Sequence, residues 1–166
     1  MASLSEVEAI LLTALVAAAL ALWGVITQRV VSRRSATLDY LWEIDSDRDI
    51  LEARETFIRV TKEDGGIARY ASRDKRGSDE TDAIRLILNT HERVAIGIQF
   101  GILDSEFMKR HSRGTILQDW ALAAPFVYAI RAEVDNPAIY HEFEELARAY
   151  SANNMPRRSY WWRLWF

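Results

Sequence analysis

The sequence predicts an all-α protein, one N-terminal transmembrane helix followed by a cytoplasmic helical bundle. Three observations predict it. Residues 9–26, AILLTALVAAALALWGVI, run for eighteen positions without a charge. Beyond them apolar residues recur at spacings of three and four, the period of a helix buried along one side. Pro stands only at 125, 137 and 156, so long stretches carry no strong breaker. No run of alternating β-branched residues is long enough for a strand.

At 1.5 Å per residue the apolar run covers about 27 Å, close to the roughly 30 Å hydrocarbon core of a bilayer. A cleaved signal peptide would carry basic residues ahead of such a run. Here the leading segment is MASLSEVE, with Glu6 and Glu8 and no Lys or Arg. Arg29, Arg33 and Arg34 follow the run instead. Basic residues collect on the cytoplasmic side of a span, so the expected topology is single-pass, N-terminus outside. Trp23 sits where an indole meets the headgroups. Ala14, Ala17, Ala21 and Gly24 line one helix face with small residues, which lets helices approach closely in lipid. Self-association, or pairing with another membrane protein, is therefore expected. Arg outnumbers Lys eighteen to three and Ala is abundant, a usage common in GC-rich bacterial genomes. The expected location is a bacterial inner (cytoplasmic) membrane.

The remaining elements follow in order. Ser35 or Thr37 can cap a helix through Leu38, Tyr40, Leu41, Trp42 and Ile44. Asp45, Ser46 and Asp47 offer a break or a new cap, and Ile50, Leu51, Phe57, Ile58 and Val60 continue a helical face to about Lys62. Gly65 and Gly66 end it, a short helix covers 67–72, and RDKRGSDE is a loop. Asp79 caps a helix whose apolar stripe is Ile84, Ile87, Leu88, His91, Ala95 and Ile98, stopping at Gly101. Asp104 caps the next, which Gly114 interrupts. The uncharged stretch 120–130 is too short to span a bilayer and fits a buried helix, kinked by Pro125 or starting near it. Asp135, Asn136 and Pro137 turn the chain into a last helix with Ile139, Tyr140, Phe143, Leu146, Ala147 and Tyr150 on one face.

Five of the last seven residues are aromatic, and Arg157, Arg158 and Arg163 accompany them. Trp161, Trp162 and Trp165 suit the bilayer interface, so this tail is expected to return to the membrane; a groove on a partner or on the domain itself is the rival. Three segments result: 1–34 as anchor with its basic end, 35–152 as helical domain, 153–166 as basic aromatic tail.

Net charge is −3, unevenly spread. Residues 35–156 hold 15 basic and 22 acidic groups, an acidic body flanked by basic clusters. Such a body argues against nucleic-acid binding. Without Cys, disulfides, thiol nucleophiles and thiolate metal sites are excluded. Three histidines, His91, His111 and His141, have Glu92, Glu142, Glu144 and Glu145 near them in sequence; His91, His141 and Glu145 are the metal or acid–base candidates, the last two sharing a face at i, i+4. The Glu-x-x-His pairs of a di-iron bundle are absent, as is His-Glu-x-x-His. A core histidine with one hydrogen-bond partner is the plainer reading of His91, and no cofactor is expected. Asp39, Glu43, Asp47 and Glu52, interleaved with Arg48 and Arg54, read as a solvated charged face.

Four blocks, LDYLWEIDSDRD at 38–49, EARETFIRV at 52–60, ETDAIRLILNTHERVAIGI at 80–98 and YHEFEELARAY at 140–150, stand beside the N-terminal span. In these blocks and their spacing the chain resembles the bacterial family called domain of unknown function 4760. The resemblance implies a small, membrane-anchored helical protein and hands no catalytic role to any residue. Two functions are then in play: a non-enzymatic accessory subunit or regulator that binds a partner at the cytoplasmic membrane face, or a membrane-associated metal-dependent enzyme built on His91, His141 and Glu145.

Overall fold

The structure, a computed structural model, describes residues 5–154. Among them it holds five α-helices, two short 3-10 turns and no strand. The protein is all-α. The tail residues Arg157, Arg158, Trp161, Trp162 and Trp165 lie outside the described residues.

The first helix, α1 (Glu6–Ser46), has 41 residues and is about 61 Å long. Ser5 and Glu8 cap it reciprocally: the Glu8 carboxylate accepts the Ser5 N–H (2.8 Å) and the Ser5 hydroxyl accepts the Glu8 N–H (3.3 Å). The helix expected to begin at Ser35 or Thr37 does not begin there. No Gly or Pro interrupts residues 25–64, and the Thr37 hydroxyl bonds back to the Arg33 carbonyl (2.7 Å) instead of capping. Position 34/35, the expected domain boundary, thus falls inside an unbroken helix. Residues 5–29 are exposed on every side. An eighteen-residue window of α1 has a mean hydropathy of 2.5, and none of it is covered by the rest of the chain. One helix is therefore long and apolar enough to cross a membrane. From Val30 onward one face of α1, with Arg33, Thr37, Tyr40, Leu41 and Ile44, turns into the domain.

Asp47 starts α2 (Arg48–Thr61) by accepting the N–H groups of Asp49 (2.8 Å) and Ile50 (3.3 Å). Gly65 and Gly66, at φ 84° and 63°, turn the chain into a 3-10 turn at Ile67–Ala71 that packs on α4. A second 3-10 turn, Arg73–Lys75, forms within the expected loop. Helix α3 (Asp79–Gln99) is capped by Ser78, one residue earlier than expected. Its stripe of Ile84, Ile87, Leu88, Ala95 and Ile98 is buried as the spacing predicts. The α3–α4 corner is tight: the N–H groups of Ile102 and Leu103 both donate to the Gly97 carbonyl (2.9 and 3.0 Å). A Cβ on Gly97 would lie 2.8 Å from Leu103 Cδ1, so no side chain fits without displacing Leu103.

Asp104 caps α4 (Ser105–Val134) through the Phe107 N–H (3.0 Å). The expected interruption at Gly114 is absent. A lone Gly costs a helix about 1 kcal/mol, which the packing of a 30-residue helix absorbs. Pro125 also sits in the helix interior rather than near its first turn. Asp135, at φ 50°, ends α4. Helix α5 (His141–Ser151) starts later than its apolar pattern suggests. Ile139 and Tyr140 precede it, Tyr140 at φ 55°. Helix α2 packs along α3, and α5 lies across α3 and α4. Phe57, Leu88, Ile116, Phe126, Phe143 and Tyr150 fill the space between them.

Long-range hydrogen bonds give the domain two distinguishable ends. Tyr40 donates to the Thr90 carbonyl (3.3 Å), and the Thr37 hydroxyl accepts the Asp104 N–H (2.8 Å). Thus the middle of α3 lies beside Tyr40, and the α3–α4 corner lies beside Thr37, nearer the apolar half of α1. Helix α5 ends beside the first turns of α4. Near its end Arg113 Nε donates to the Tyr150 carbonyl (3.0 Å) and Lys109 Nζ to the Asn153 carbonyl (2.9 Å).

Candidate functional site

The one charged residue buried among the described residues is Asp119. Its place on the buried face of α4, among Ile116, Ala123, Phe126, Val127 and Ile130, leaves it 0 % exposed. An ionised carboxylate there demands compensation. Arg54 on α2 forms an ion pair with its Oδ2, and His91 on α3 meets the same oxygen at 2.7 Å. A carboxylate only accepts, so His91 Nε2 carries the hydrogen. Burial alone would push the Asp119 carboxyl up. The hydrogen bonds and charges of His91 and Arg54 outweigh it and hold the group below its ordinary value. Oδ1 is buried with no hydrogen-bond partner among the described residues.

The other side of the imidazole is closed by aromatics. His91 stacks on Phe143 of α5, centroids 4.7 Å apart and planes at 21°. Trp120 meets Phe143 edge-on at 5.2 Å. One carboxylate thus joins α2, α3 and α4, and its histidine joins α5. Glu92, next to His91, reaches the start of α5 and accepts the N–H groups of Phe143 (2.7 Å) and Glu142 (3.3 Å). It supplies from α3 the cap that Tyr140 cannot. Burial raises the Glu92 carboxyl's pKa more than these two bonds lower it.

This arrangement is a brace. His91 falls on the stripe the spacing predicts and has the hydrogen-bond partner expected of a core histidine. His141 is exposed, and Glu145 pairs with Arg148 on its own helix. Among the described residues no three His, Asp or Glu side chains are grouped to hold a metal ion. His91, His141 and Glu145 are not brought together into such a group. Arg54, read from the sequence as part of a solvated face, is instead turned inward to Asp119, its side chain 32 % exposed. Asp119 itself escaped notice, although an acid on an apolar helical stripe is the signal that marks it.

Among the described residues, those expected at a membrane or partner lie on α1. Trp23 is exposed, and a Cβ at Gly24 would meet open space. Arg34 approaches Asp104 (3.7 Å), and Arg33 is half-buried against the domain. At 100° per residue the same flank of α1 continues through Val31, Leu38 and Trp42, turned away from Thr37 and the domain. Leu38 is 43 % and Trp42 73 % exposed.

A family model described as Domain of unknown function (DUF4760) matches residues 11–150. The chain belongs to this family. The DUF4760 match begins within the apolar half of α1 and ends at Tyr150, so it takes in both halves of α1 and the Asp119 brace. No curated protein and no solved structure matches the chain.

Proposed function

We propose that this DUF4760 protein is a single-pass membrane protein without enzymatic activity, an accessory subunit or regulator that binds another membrane protein or a second copy of itself. The supporting observation is the outer flank of α1. Leu38 and Trp42 lie about 18 and 24 Å beyond Ile26 along the helix. The headgroup layer adds only about 5–8 Å to each side of the hydrocarbon core. Lipid does not reach these side chains when 9–26 fill the core, and the domain packs on the opposite flank. A protein surface is what covers an exposed Leu and Trp one turn apart. In this reading the arginines after the span set the domain in the cytoplasm of a bacterial cell.

The absence of Cys makes the test direct. Trp42→Cys in native membranes, treated with a short bifunctional maleimide, is expected to give one discrete adduct. Glu52→Cys, exposed on α2, is the control. Extraction with alkaline carbonate should leave the protein in the membrane pellet. Extraction into the supernatant would remove the anchor. Equal, diffuse labelling at 42 and 52 would remove the partner.

A further inference from the structure

We infer that the α3–α4 corner is a second membrane contact, its exposed apolar tip seated in an anionic lipid surface. The inference rests on the membrane-spanning reading above but concerns different residues. The tip carries Ile102 at 60 % and Phe100 at 44 % exposed, with Ile96 exposed one turn earlier. Its position along α1 is fixed. Thr37 binds the backbone of Asp104, and Tyr40 binds Thr90. One face of α1 is covered by the domain from Val30 onward, about 6 Å beyond Ile26. Asp104 bonds to Thr37 and pairs with Arg34, so the corner meets α1 on the part of that face nearer the span. Spans tilt by about 20° on average, which lowers one side of an attached domain toward the headgroups.

Charge agrees with lipid as the occupant. The two stretches of chain that meet at the corner, residues 29–37 and 104–113, carry Arg29, Arg33, Arg34, Lys109, Arg110 and Arg113 against Asp104 and Glu106, which pair with Arg34 and Arg110. The opposite end, where α1 passes into α2, carries Glu43, Asp45, Asp47, Asp49 and Glu52 with only Arg48 and Arg54. An anionic leaflet attracts the first end and repels the second. The chain leaving α5 emerges at the same basic end, beside Lys109. An exposed apolar pair beside cation-rich stretches of chain has the composition of an interfacial anchor.

Three single-cysteine variants of the full chain test this: Ile102→Cys at the tip, Leu15→Cys in the span and Leu51→Cys at the acidic end, all exposed positions. Each carries an environment-sensitive NBD dye in vesicles of mixed phosphatidylcholine and phosphatidylglycerol. Nitroxide-labelled lipid is the quencher. The expected result is blue-shifted, lipid-quenched emission at 15 and at 102, and neither at 51. Quenching at 15 but not at 102 overturns the corner contact and leaves the span standing. A blue shift at 102 without lipid quenching overturns it too, because protein then covers the corner. Loss of quenching at 15 overturns the span and this inference with it.

Discussion

Replacing Asp119 with Asn removes the charge that the brace is built around and little else. The two charge-assisted hydrogen bonds to Oδ2, from Arg54 and His91, are worth about 1.5–3 kcal/mol each. The Arg54 guanidinium is about one-third exposed and recovers hydration when its partner is lost, which discounts its share. His91 is nearly enclosed, and an amide still offers it a weaker acceptor. The expected loss is about 2–3 kcal/mol, or about 10 °C in Tm for a domain of this size. The assay is thermal unfolding of the full chain in mild detergent, followed by near-ultraviolet circular dichroism. Acid supplies the decisive control. Asp119 has a folded pKa below its ordinary value of 3.8, so its contribution is complete above that value. It fades as pH falls through the lower folded value. The gap between wild type and D119N should narrow in acid. A D119N protein as stable as wild type at neutral pH, or a gap constant down to acid, would refute the brace. In a double-mutant cycle, Arg54→Met should cost less in the D119N background than alone.

Two further substitutions probe the frame. Thr37→Val keeps the shape but removes the hydroxyl that receives the Asp104 N–H and donates to the Arg33 carbonyl. It should cost about 1–2 kcal/mol and raise protease sensitivity at the α3–α4 corner, and unchanged cleavage would show that α1 is held by other contacts. Asp135→Gly relieves a left-handed residue that also places negative charge at the C-terminal end of α4. It should raise stability by about 0.5–1 kcal/mol, seen as a Tm increase of a few degrees; a decrease would assign Asp135 a compensating interaction.

Local chemistry was the legible part of this chain. The α3 stripe, the caps at Asp47 and Asp104 and the Gly65-Gly66 turn follow from spacing and side-chain type. The misreadings share a cause: distant residues overrule local signals. Thr37 resembles a helix cap until Asp104, far along the chain, takes its hydroxyl. Gly114 resembles a stop until packing carries α4 through it. Tyr140 resembles part of α5 until Glu92 caps the helix one residue later. The Asp119 brace draws on Arg54, His91 and Phe143 from three other helices, and no spacing within one segment encodes that convergence. His91 was identifiable as a core residue, and Asp119 carries a signal of its own as an acid on an apolar stripe, but nothing local pairs the two.

The unbroken passage of α1 from apolar rod to domain wall has a mechanical consequence. A hinge after a span would let the domain hang freely, indifferent to the angle of its anchor. Here no hinge exists between Glu6 and Ser46. Seated in a bilayer, the helix is a lever whose fulcrum is the leaflet nearer the domain. A tilt of about 20° swings Ser46, about 30 Å past Ile26, sideways by about 10 Å. Because tilt answers to hydrocarbon thickness, a thinner or thicker membrane becomes a different height and inclination of the Asp119-braced bundle above its surface.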